Sequence, residues 1–513
     1  MKTLFVSVHL PIASITIAAL LAACGGSQPP IRALGPTAQT PAARSRASVS
    51  YGVLYSFQAG GSGEAYSPLA GLINVNGTLY GTTELGGDSG CSAQGCGTVF
   101  KITPSGTETV LHSFAGGSGD GAYPFAGLVN VHGTLYGTTF QGGANNIGTI
   151  FKITPSGTET ALHSFGPYDS GDGAYPSSAL LNINGTLYGT TERGSMYCEA
   201  TCGTIFSITT SGAESVLYSF KGGSDGDGPP AGLINVGGTL YGTTYSGGTD
   251  ADGTVFSITR SGTETVLYSF KGGSGDGAHP QAALINVNGT LYGTTNTGGV
   301  RCSGRGGCGT VFAITTSGLE TVLYKFKGGS GDGAHPQAAL ININGTLYGT
   351  TANKGEEKLG TLFAIATSGT ETVLHSFGGS GDGARPHAGL INFKGALYGT
   401  TYYGGANGWG TVFKLKPNPT YDSGDTADEE LECRPICANQ LHGCRNAGRV
   451  RRIAAADRRA GRDFAEPRDH SAHSASSVIT GARKQPRWRL PGHTLSPRKW
   501  HTVRDDQARR RLL

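Results

Sequence analysis

A repeated segment dominates this chain of 513 residues. One copy, Leu233 to Phe270, reads LINVGGTLYGTTYSGGTDADGTVFSITRSGTETVLYSF, and versions of it recur seven times between Tyr51 and Lys416. Each copy holds four runs rich in β-branched and aromatic residues, and turn residues separate the runs. The first two runs are joined by Gly-Gly here and by Asn-Gly in four other copies, which predicts a two-residue hairpin. Four antiparallel strands per copy, at a spacing of about 50 to 56 residues, indicate one propeller blade.

The two ends of the repeat region complement each other. Residues 53–57 form a fourth-strand sequence with no partner strands before it, and residues 410–416 form a third-strand sequence with no fourth strand after it. Pairing these ends would leave no exposed half-blade edge. The sequence therefore predicts an all-β fold, a seven-bladed β-propeller of four-stranded antiparallel blades, closed when the N-terminal strand completes the last blade.

The N-terminal residues predict export and anchoring. A charge at Lys2 precedes an apolar run at 11–23, which ends in Leu21-Ala22-Ala23-Cys24 and resembles a bacterial lipobox. Residues 1–23 are thus predicted to be a lipoprotein signal peptide, with Cys24 lipidated and the protein anchored to a membrane of the cell envelope. Gly25 after the cysteine favours the outer membrane or the surface. An ordinary signal peptide with a chance cysteine is the alternative.

Composition separates two further segments from the repeats. Residues 24–50 are rich in Gly, Pro, Ser, Ala and Thr, which predicts a flexible tether before the propeller at 51–416. Residues 417–513 are Arg-rich and aperiodic, which predicts a disordered tail. The net charge of +4 reflects that tail, and the repeats carry no basic stripe. We therefore expect no nucleic-acid binding by the repeats, and we expect a monomer. The alternative for the basic tail is contact with anionic lipid or nucleic acid.

Several motifs recur in order through the repeats and resemble a known family. GTVFKIT, SGTETVLHSF, GLINVNGTLYGTT and the GDGA-x-P linker are similar to the Gloeobacter/Verrucomicrobia repeats of choice-of-anchor proteins. The resemblance covers about residues 51–416. It implies an exported protein held at the cell surface by one of several kinds of anchor. It implies no enzymatic activity, and so it supplies no catalytic residues.

The longer connections point to a binding surface. Strand order places the second–third and fourth–first connections on one face, and function is often carried by long loops on a rigid scaffold. The residue near each linker proline varies between copies. Six of these residues are the predicted binding residues: Tyr66, Tyr123, Tyr175, His279, His335 and Arg385. The remaining copy has Pro229 at this place. These side chains are predicted to contact a glycan or a peptide. The alternative is that they only cover the junctions between blades.

The polar residues that recur in other parts of the repeat are predicted to have structural roles and no catalytic or metal-binding role. Each fourth–first linker holds a carboxylate: Glu64, Asp120, Asp172, Asp227, Asp276, Asp332 and Asp382. One carboxylate per loop is too few for calcium, and Asp before Gly is common in turns. A fourth-strand position holds His112, His163 and His375 where other copies have Tyr, which favours packing. Glutamates in the fourth strands are predicted to be solvated: Glu108, Glu159, Glu214, Glu264, Glu320 and Glu371. No catalytic residue, metal site or cofactor is predicted.

Three cysteine pairs occupy the second–third loops of alternate blades: Cys91 and Cys96, Cys198 and Cys202, and Cys302 and Cys308. In an exported chain, such local pairs predict disulfides. Zinc would require about four ligands, and no histidine lies near any pair. The tail adds Cys433, Cys437 and Cys444, a weak metal-binding pattern.

Two functions remain open at this point. The first is a non-catalytic envelope protein that presents its loop-rich face to a glycan, a peptide or an envelope partner. The second is an envelope lyase or hydrolase acting on carbohydrate at the mouth of the channel. The close similarity of the seven copies favours the binding protein, because catalysis requires one blade to carry residues that the others lack.

Overall fold

The computed structural model describes residues 49–59, 63–87, 90–198, 202–302, 306–378 and 381–417. The predicted signal peptide with Cys24, nearly all of the tether and the Arg-rich tail lie outside the described residues. Within them, seven four-stranded antiparallel sheets form, and the helical elements are two 3₁₀ turns, Tyr168–Ser170 and Gly223–Asp225. None of the described residues belongs to a helix that is long and apolar enough to cross a bilayer. The prediction of an all-β, seven-bladed propeller is confirmed.

Blades 1 to 6 use their strands in chain order, and in blade 7 the N-terminal strand takes the fourth position. First strands of neighbouring blades contact each other at the centre of the ring. First strands are Ile73–Val75, Val129–Val131, Leu181–Ile183, Ile234–Val236, Ile285–Val287, Ile341–Ile343 and Ile391–Phe393. Second strands are Thr78–Thr83, Thr134–Thr139, Thr186–Thr191, Thr239–Thr244, Thr290–Thr295, Thr346–Thr351 and Ala396–Thr401. Third strands are Thr98–Ile102, Thr149–Ile153, Thr204–Thr209, Thr254–Ile258, Thr310–Thr315, Thr361–Ala366 and Thr411–Lys416. Fourth strands are Glu108–Ser113, Glu159–Ser164, Glu214–Ser219, Glu264–Ser269, Glu320–Lys325, Glu371–Ser376 and, for blade 7, Ser50–Ser56.

The hairpin between the first and second strands follows the predicted turn chemistry. In blade 1, Asn76 and Gly77 have φ angles of 51° and 87°, the left-handed values that a type I′ turn requires. The side chain of Asn74 accepts a hydrogen bond from the Gly77 N–H at 2.9 Å, and the same bond forms in all seven blades. Each hairpin is therefore fixed by its own local sequence.

The ring closes as predicted. Ser50–Ser56 pairs antiparallel with Thr411–Lys416, with Tyr51 opposite Leu415 and Val53 opposite Phe413. The Thr400 hydroxyl of blade 7 donates to the Ala70 carbonyl of blade 1 at 3.0 Å. The same bond joins blades 1 and 2, so the closing junction has the geometry of an ordinary one.

Phenylalanine pairs form the core between blades. The phenylalanine after each fourth strand packs edge-on against the third-strand phenylalanine of the next blade, with ring centroids 5.1–5.5 Å apart at all seven junctions. The closing pair is Phe57 and Phe100, and both are fully buried. Glycine in the second strand makes room for these rings: a Cβ at Gly242 would lie 2.6 Å from Cζ of Phe256. Close packing of this kind leaves the blades little freedom to shift.

Candidate functional site

The long connections lie on one face of the propeller, which we call the loop face. In five blades the linker before the first strand pairs with the segment after the second strand: Ala65–Tyr66 with Leu85–Gly86, Gly121–Ala122 with Gln141–Gly142, Gly277–Ala278 with Thr297–Gly298, Gly333–Ala334 with Asn353–Lys354, and Gly383–Ala384 with Tyr403–Gly404. Single bridges replace these pairs in blades 3 and 4. Both classes of long connection therefore share one face, as the strand order predicted.

One residue per blade, directly before the linker proline, is held rigidly on this face. The set is Ser67, Tyr123, Tyr175, Gly228, His279, His335 and Arg385, and we call it the pre-proline ring. All seven have φ between 53° and 58°. In blade 5, the His279 N–H donates to Asp252 of the preceding blade at 2.7 Å, and its carbonyl accepts from Asn296 at 3.1 Å. Because the backbone is bonded on both sides, each side chain leaves the face in a fixed direction.

Five of the six predicted binding residues belong to this ring: Tyr123, Tyr175, His279, His335 and Arg385. Tyr66 does not, because the first linker reads AYSP where other linkers read AYP or AHP, so Ser67 takes the ring position. Tyr66 lies one residue earlier, is 7% exposed, and donates its hydroxyl to the Gln94 carbonyl at 2.5 Å. In blade 4, Pro229 is the linker proline itself, and Gly228 holds the ring position.

Four aromatic side chains form a continuous run across blades 2 and 3, which we call the aromatic strip. Phe125 stacks on Phe140, and Phe140 stacks on Tyr175, each pair with ring centroids 4.7 Å apart. Tyr168 lies 5.7 Å from Tyr175, and the exposed Arg193 guanidinium lies 5.9 Å from the Tyr175 ring. All four rings are half-buried. The strip therefore offers apolar ring edges to solvent beside a cation.

Phe125 and Phe140 were missed by the sequence analysis, although a signal for them existed. Phe125 directly follows the linker proline, and Phe140 directly follows the paired threonines of the second strand. Both positions vary widely between copies while their neighbours hardly change, as Gln281 and Asn296 illustrate in blade 5. The available signal was thus variation next to residues that recur in every copy, the linker proline and the paired threonines. The sequence analysis used this signal only for the residue near the linker proline.

Aromatic contacts also occur elsewhere on the loop face. Tyr245 stacks on His279 at 4.8 Å, and Nδ1 of that histidine lies 3.0 Å from the Tyr245 carbonyl. In blade 7, the Arg385 guanidinium lies 5.5 Å from the ring of Tyr403, which is 40% exposed. Two pre-proline ring residues are therefore paired with an aromatic neighbour, as Tyr175 is in the strip.

Blade 7 also carries a histidine, His387, directly after its linker proline, where the other blades have none. His387 contacts Oε1 of Gln337 through Nδ1, and because that oxygen only accepts, Nδ1 carries the proton and Nε2 is left as an acceptor. Burial, with a smaller effect of Arg385, lowers the pKa of His387 to about 4, so the ring is neutral. Nearby, burial raises the pKa of Glu84 against an opposing hydrogen bond from Tyr402.

A further set of polar groups lies between the fourth strands of neighbouring blades. At each junction a His or Tyr of one blade meets the linker carboxylate and a fourth-strand residue of the next blade, and we call these groups the rim trios. They are Tyr55–Glu64–Glu108, His112–Asp120–Glu159, His163–Asp172–Glu214, Tyr218–Asp225–Glu264, Tyr268–Asp276–Glu320, Tyr324–Asp332–Glu371 and His375–Asp382–Tyr51.

The rim trios correct two sequence-based expectations. The fourth-strand glutamates are not solvated: in each, Oε1 is buried without a hydrogen-bond partner, and burial raises the pKa to about 7 at Glu108, Glu159, Glu214, Glu264, Glu320 and Glu371. The adjacent blade covers them. In blade 4 the linker carboxylate of the trio is Asp225 and not Asp227, because Asp225 accepts from the Tyr218 hydroxyl at 2.6 Å.

The linker aspartates stabilise turns, as the Asp-Gly sequence of the linkers predicted. Asp276 accepts the backbone N–H of Lys271 through Oδ2 at 2.9 Å and that of Gly277 through Oδ1 at 2.6 Å. The Tyr268 hydroxyl also donates to Oδ2 at 2.8 Å. The fourth-strand tyrosines and histidines therefore take part in packing, and His163 and His375, like Tyr268, also hydrogen-bond to the linker aspartate, as their interchange predicted.

All three predicted disulfides are present. Cα–Cα distances are 5.3 Å for Cys91–Cys96, 5.5 Å for Cys198–Cys202 and 5.2 Å for Cys302–Cys308. Each closes a second–third loop on the loop face, and each bonded pair contacts the linker glycine after the fourth strand, such as Gly328. The bonds therefore hold these loops against the same linkers that carry the pre-proline ring.

Comparison with known proteins identifies the repeats. The family model of the Gloeobacter/Verrucomicrobia repeat matches residues 68–306 and 300–427. No curated protein matches the chain. Similar solved structures include PorZ, a surface component of the type-IX secretion system of Porphyromonas gingivalis, at 14% identity, 69% of this chain, 47% of that chain and a TM-score of 0.44.

A puromycin-hydrolysing peptidase of Mycobacterium tuberculosis is also similar, at 12% identity, 70% of this chain, 56% of that chain and a TM-score of 0.42. A gluconolactonase of Xanthomonas campestris is similar at 12% identity, 53% of this chain, 82% of that chain and a TM-score of 0.32. Likenesses this distant carry no information about ligand or activity.

Proposed function

This chain belongs to the Gloeobacter/Verrucomicrobia repeat family, and we propose that its propeller is a non-catalytic binding module of the bacterial cell envelope that holds a glycan on the loop face. The aromatic strip is the observation that carries this proposal. The phenylalanines that recur in every copy pack between blades, whereas Phe125 has no Phe, Tyr or Trp equivalent in the other copies. Phe140 has aromatic equivalents in Tyr245 and Tyr402, but neither stacks on an aromatic residue after the linker proline as Phe140 stacks on Phe125. Half-buried aromatic rings on a rigid loop-bearing face are typical of recognition surfaces.

The surroundings of the strip favour a sugar over a purely apolar ligand. A pyranose ring presents both a C–H face, which packs on aromatic rings, and hydroxyls, which need hydrogen-bond partners. The exposed Arg193 next to Tyr175 supplies donors, and the half-buried Glu192 and the exposed Asp169 supply acceptors. Apolar edges flanked by a few polar groups are the usual composition of a specific small-ligand site.

A glycan array followed by titration calorimetry on the full-length chain tests this function. Phe140→Ala and Tyr175→Ala are each expected to weaken binding of a positive glycan by about tenfold or more, which corresponds to ~1.4 kcal/mol. Tyr197→Ala is the matched control, since Tyr197 is 58% exposed but lies outside the strip. Equal affinity in all variants, or binding to peptides and to no glycan, would reject the proposal.

A carbohydrate-active enzyme is the second candidate, and the polar residues of blade 7 favour it. His387 is neutral with Nε2 as an acceptor, which is the state a general base needs. A lyase and hydrolase substrate panel on the same protein separates the two functions. Turnover that is lost in His387→Ala supports the enzyme, whereas binding without turnover supports the binding module.

We further propose that the protein is exported and anchored as a monomer to the outer membrane or cell surface through lipid on Cys24. The lipobox-like sequence before Cys24 supports this. Metabolic labelling with a fatty-acid analogue is expected to mark the wild-type protein and not Cys24→Ala. Label that persists in the variant, or a wild type without label, contradicts lipidation at Cys24.

A further inference from the structure

We infer that two rim trios, His112–Asp120–Glu159 and His163–Asp172–Glu214, are sites for a divalent transition metal, which links neighbouring blades. The sequence alone predicted no metal site, because its linkers and its cysteine pairs each offer too few ligands. The structure adds ligands from three segments: a histidine of one fourth strand, a linker aspartate, and a glutamate of the next blade's fourth strand.

Geometry suits one ion in each trio. The three ligand atoms, one imidazole nitrogen and two carboxylate oxygens, lie within 4.8 Å of one another in both trios. Ligands bound to one zinc ion lie about 3.5 Å apart, so a side-chain adjustment of about 1 Å would close the site. A mixed nitrogen and oxygen ligand set suits zinc and similar first-row metals.

Two possible ligand atoms of the first trio are buried without a hydrogen-bond partner. Nε2 of His112 and Oε1 of Glu159 are withdrawn from solvent and have no hydrogen-bond partner. The His112 nitrogen lies 3.5 Å from Oδ2 of Asp120, at ion-pair distance. In the second trio, Nε2 of His163 lies 3.1 Å from Oδ2 of Asp172, a hydrogen bond that a metal ion would replace. Oε1 of Glu214 is buried and unpartnered in the second trio as well. Buried polar atoms of native proteins are nearly always paired, and a shared cation would pair these.

The aspartate of each trio is already held in position. Asp120 accepts the backbone N–H of Ala115 at 2.8 Å and that of Gly121 at 2.7 Å, and Asp172 accepts that of Gly166 at 2.5 Å. Fixed outer partners of this kind orient metal ligands. Asp172 also lines a cavity of about 560 Å³, so one ligand of the second trio borders open space.

The other rim trios serve as natural comparisons, because substitutions remove a ligand from each. Tyr replaces His in four trios; in three of them the tyrosine hydroxyl donates to the aspartate, as Tyr268 does to Asp276. The trio of His375 lacks the glutamate: Tyr51 takes that position, stacks on the imidazole at 3.6 Å and donates to Asp382. Only two trios in the described residues therefore retain all three ligands.

Zinc titration of the full-length chain tests the inference, with bound zinc per chain measured by calorimetry and by metal analysis after desalting. His112→Gln and His163→Gln are each expected to lower the wild-type stoichiometry by one zinc, and the double variant by two. His375→Gln and Glu264→Gln are controls that should leave it unchanged. Zinc should also raise Tm in the wild type more than in the double variant.

Histidines and cysteines of the tail could bind zinc as well, which is why the difference between variants is the measurement. A double variant that binds as much zinc as the wild type rejects the inference, and so does a wild type that binds none. If a histidine variant loses its native circular dichroism, Glu159→Gln and Glu214→Gln replace it, because each removes the glutamate ligand of the same trio. Each should also lower the stoichiometry by one zinc.

Discussion

Deletion of residues 51–57 is expected to abolish cooperative folding of the whole propeller. These residues supply nearly all of the fourth strand of blade 7, which pairs with Thr411–Lys416 along its full length. Without them the backbone of that third strand becomes a free sheet edge, which promotes aggregation. The deletion also removes Phe57 from its contact with Phe100, a fully buried pair whose ring centroids lie 5.3 Å apart.

 

Thermal unfolding followed by circular dichroism, together with gel filtration, measures the effect. A deletion of equal length within the tether, residues 34–40, is the control and should leave Tm unchanged. Phe57→Ala gives a graded version, with an expected loss of about 3–5 kcal/mol in the free energy of unfolding. Phe165→Ala should cost a similar amount, because Phe165 and Phe206 make the same contact within the ring. A deletion mutant that melts at the wild-type temperature would show that the ring does not depend on this strand.

The fold could be predicted from the sequence because each blade is specified locally and then repeated. Turn residues such as Asn76 and Gly77 fix a hairpin by their own backbone preferences, and seven copies make the register unambiguous. Closure was also predictable, because the N-terminal end of the repeats has a fourth strand without a blade and blade 7 lacks a fourth strand. Pairing the two leaves no free sheet edge.

The functional groups were less predictable because they depend on contacts between blades. One additional serine in the first linker moved Ser67 into the ring position and Tyr66 out of it, a shift that only the backbone pairing reveals. Glu320 looks solvated within its own strand, yet Tyr268 and Asp276 of the preceding blade and linker surround its carboxyl group. A pattern within one repeat carries no information about which side chains of the next repeat will cover it.

The buried glutamates are expected to make the propeller less stable as the pH rises from about 5 to 8. Burial raises the pKa of Glu264, Glu320 and Glu371 to about 7 from the ordinary value of 4.5, with a further contribution from the neighbouring aspartates. Between these two values the folded state holds protons that the unfolded chain has released. The free energy of unfolding therefore falls as the pH rises through this window, and the stabilisation is complete only below about pH 4.5.

Replacing all three with glutamine isolates this effect from other titrations, because glutamine is neutral at every pH. Their trios contain tyrosine in place of histidine, so zinc binding should not interfere. Each side chain is partly exposed, and solvent screening reduces the full effect to about 1 kcal/mol per glutamate. The triple variant should therefore be more stable than the wild type by ~3 kcal/mol at pH 8, and the difference should shrink to about a quarter of that at pH 5.

Urea denaturation at both pH values measures this difference directly. Glu356→Gln is the control, since Glu356 is exposed and lies outside the rim trios, and it should change stability at neither pH. A difference that is the same at pH 5 and pH 8 would mean that these carboxyl groups titrate alike in the folded and unfolded chains. A triple variant less stable than the wild type at pH 8 would mean that the ionised glutamates make favourable contacts, and the rim trios would then stabilise the blade junctions through charge.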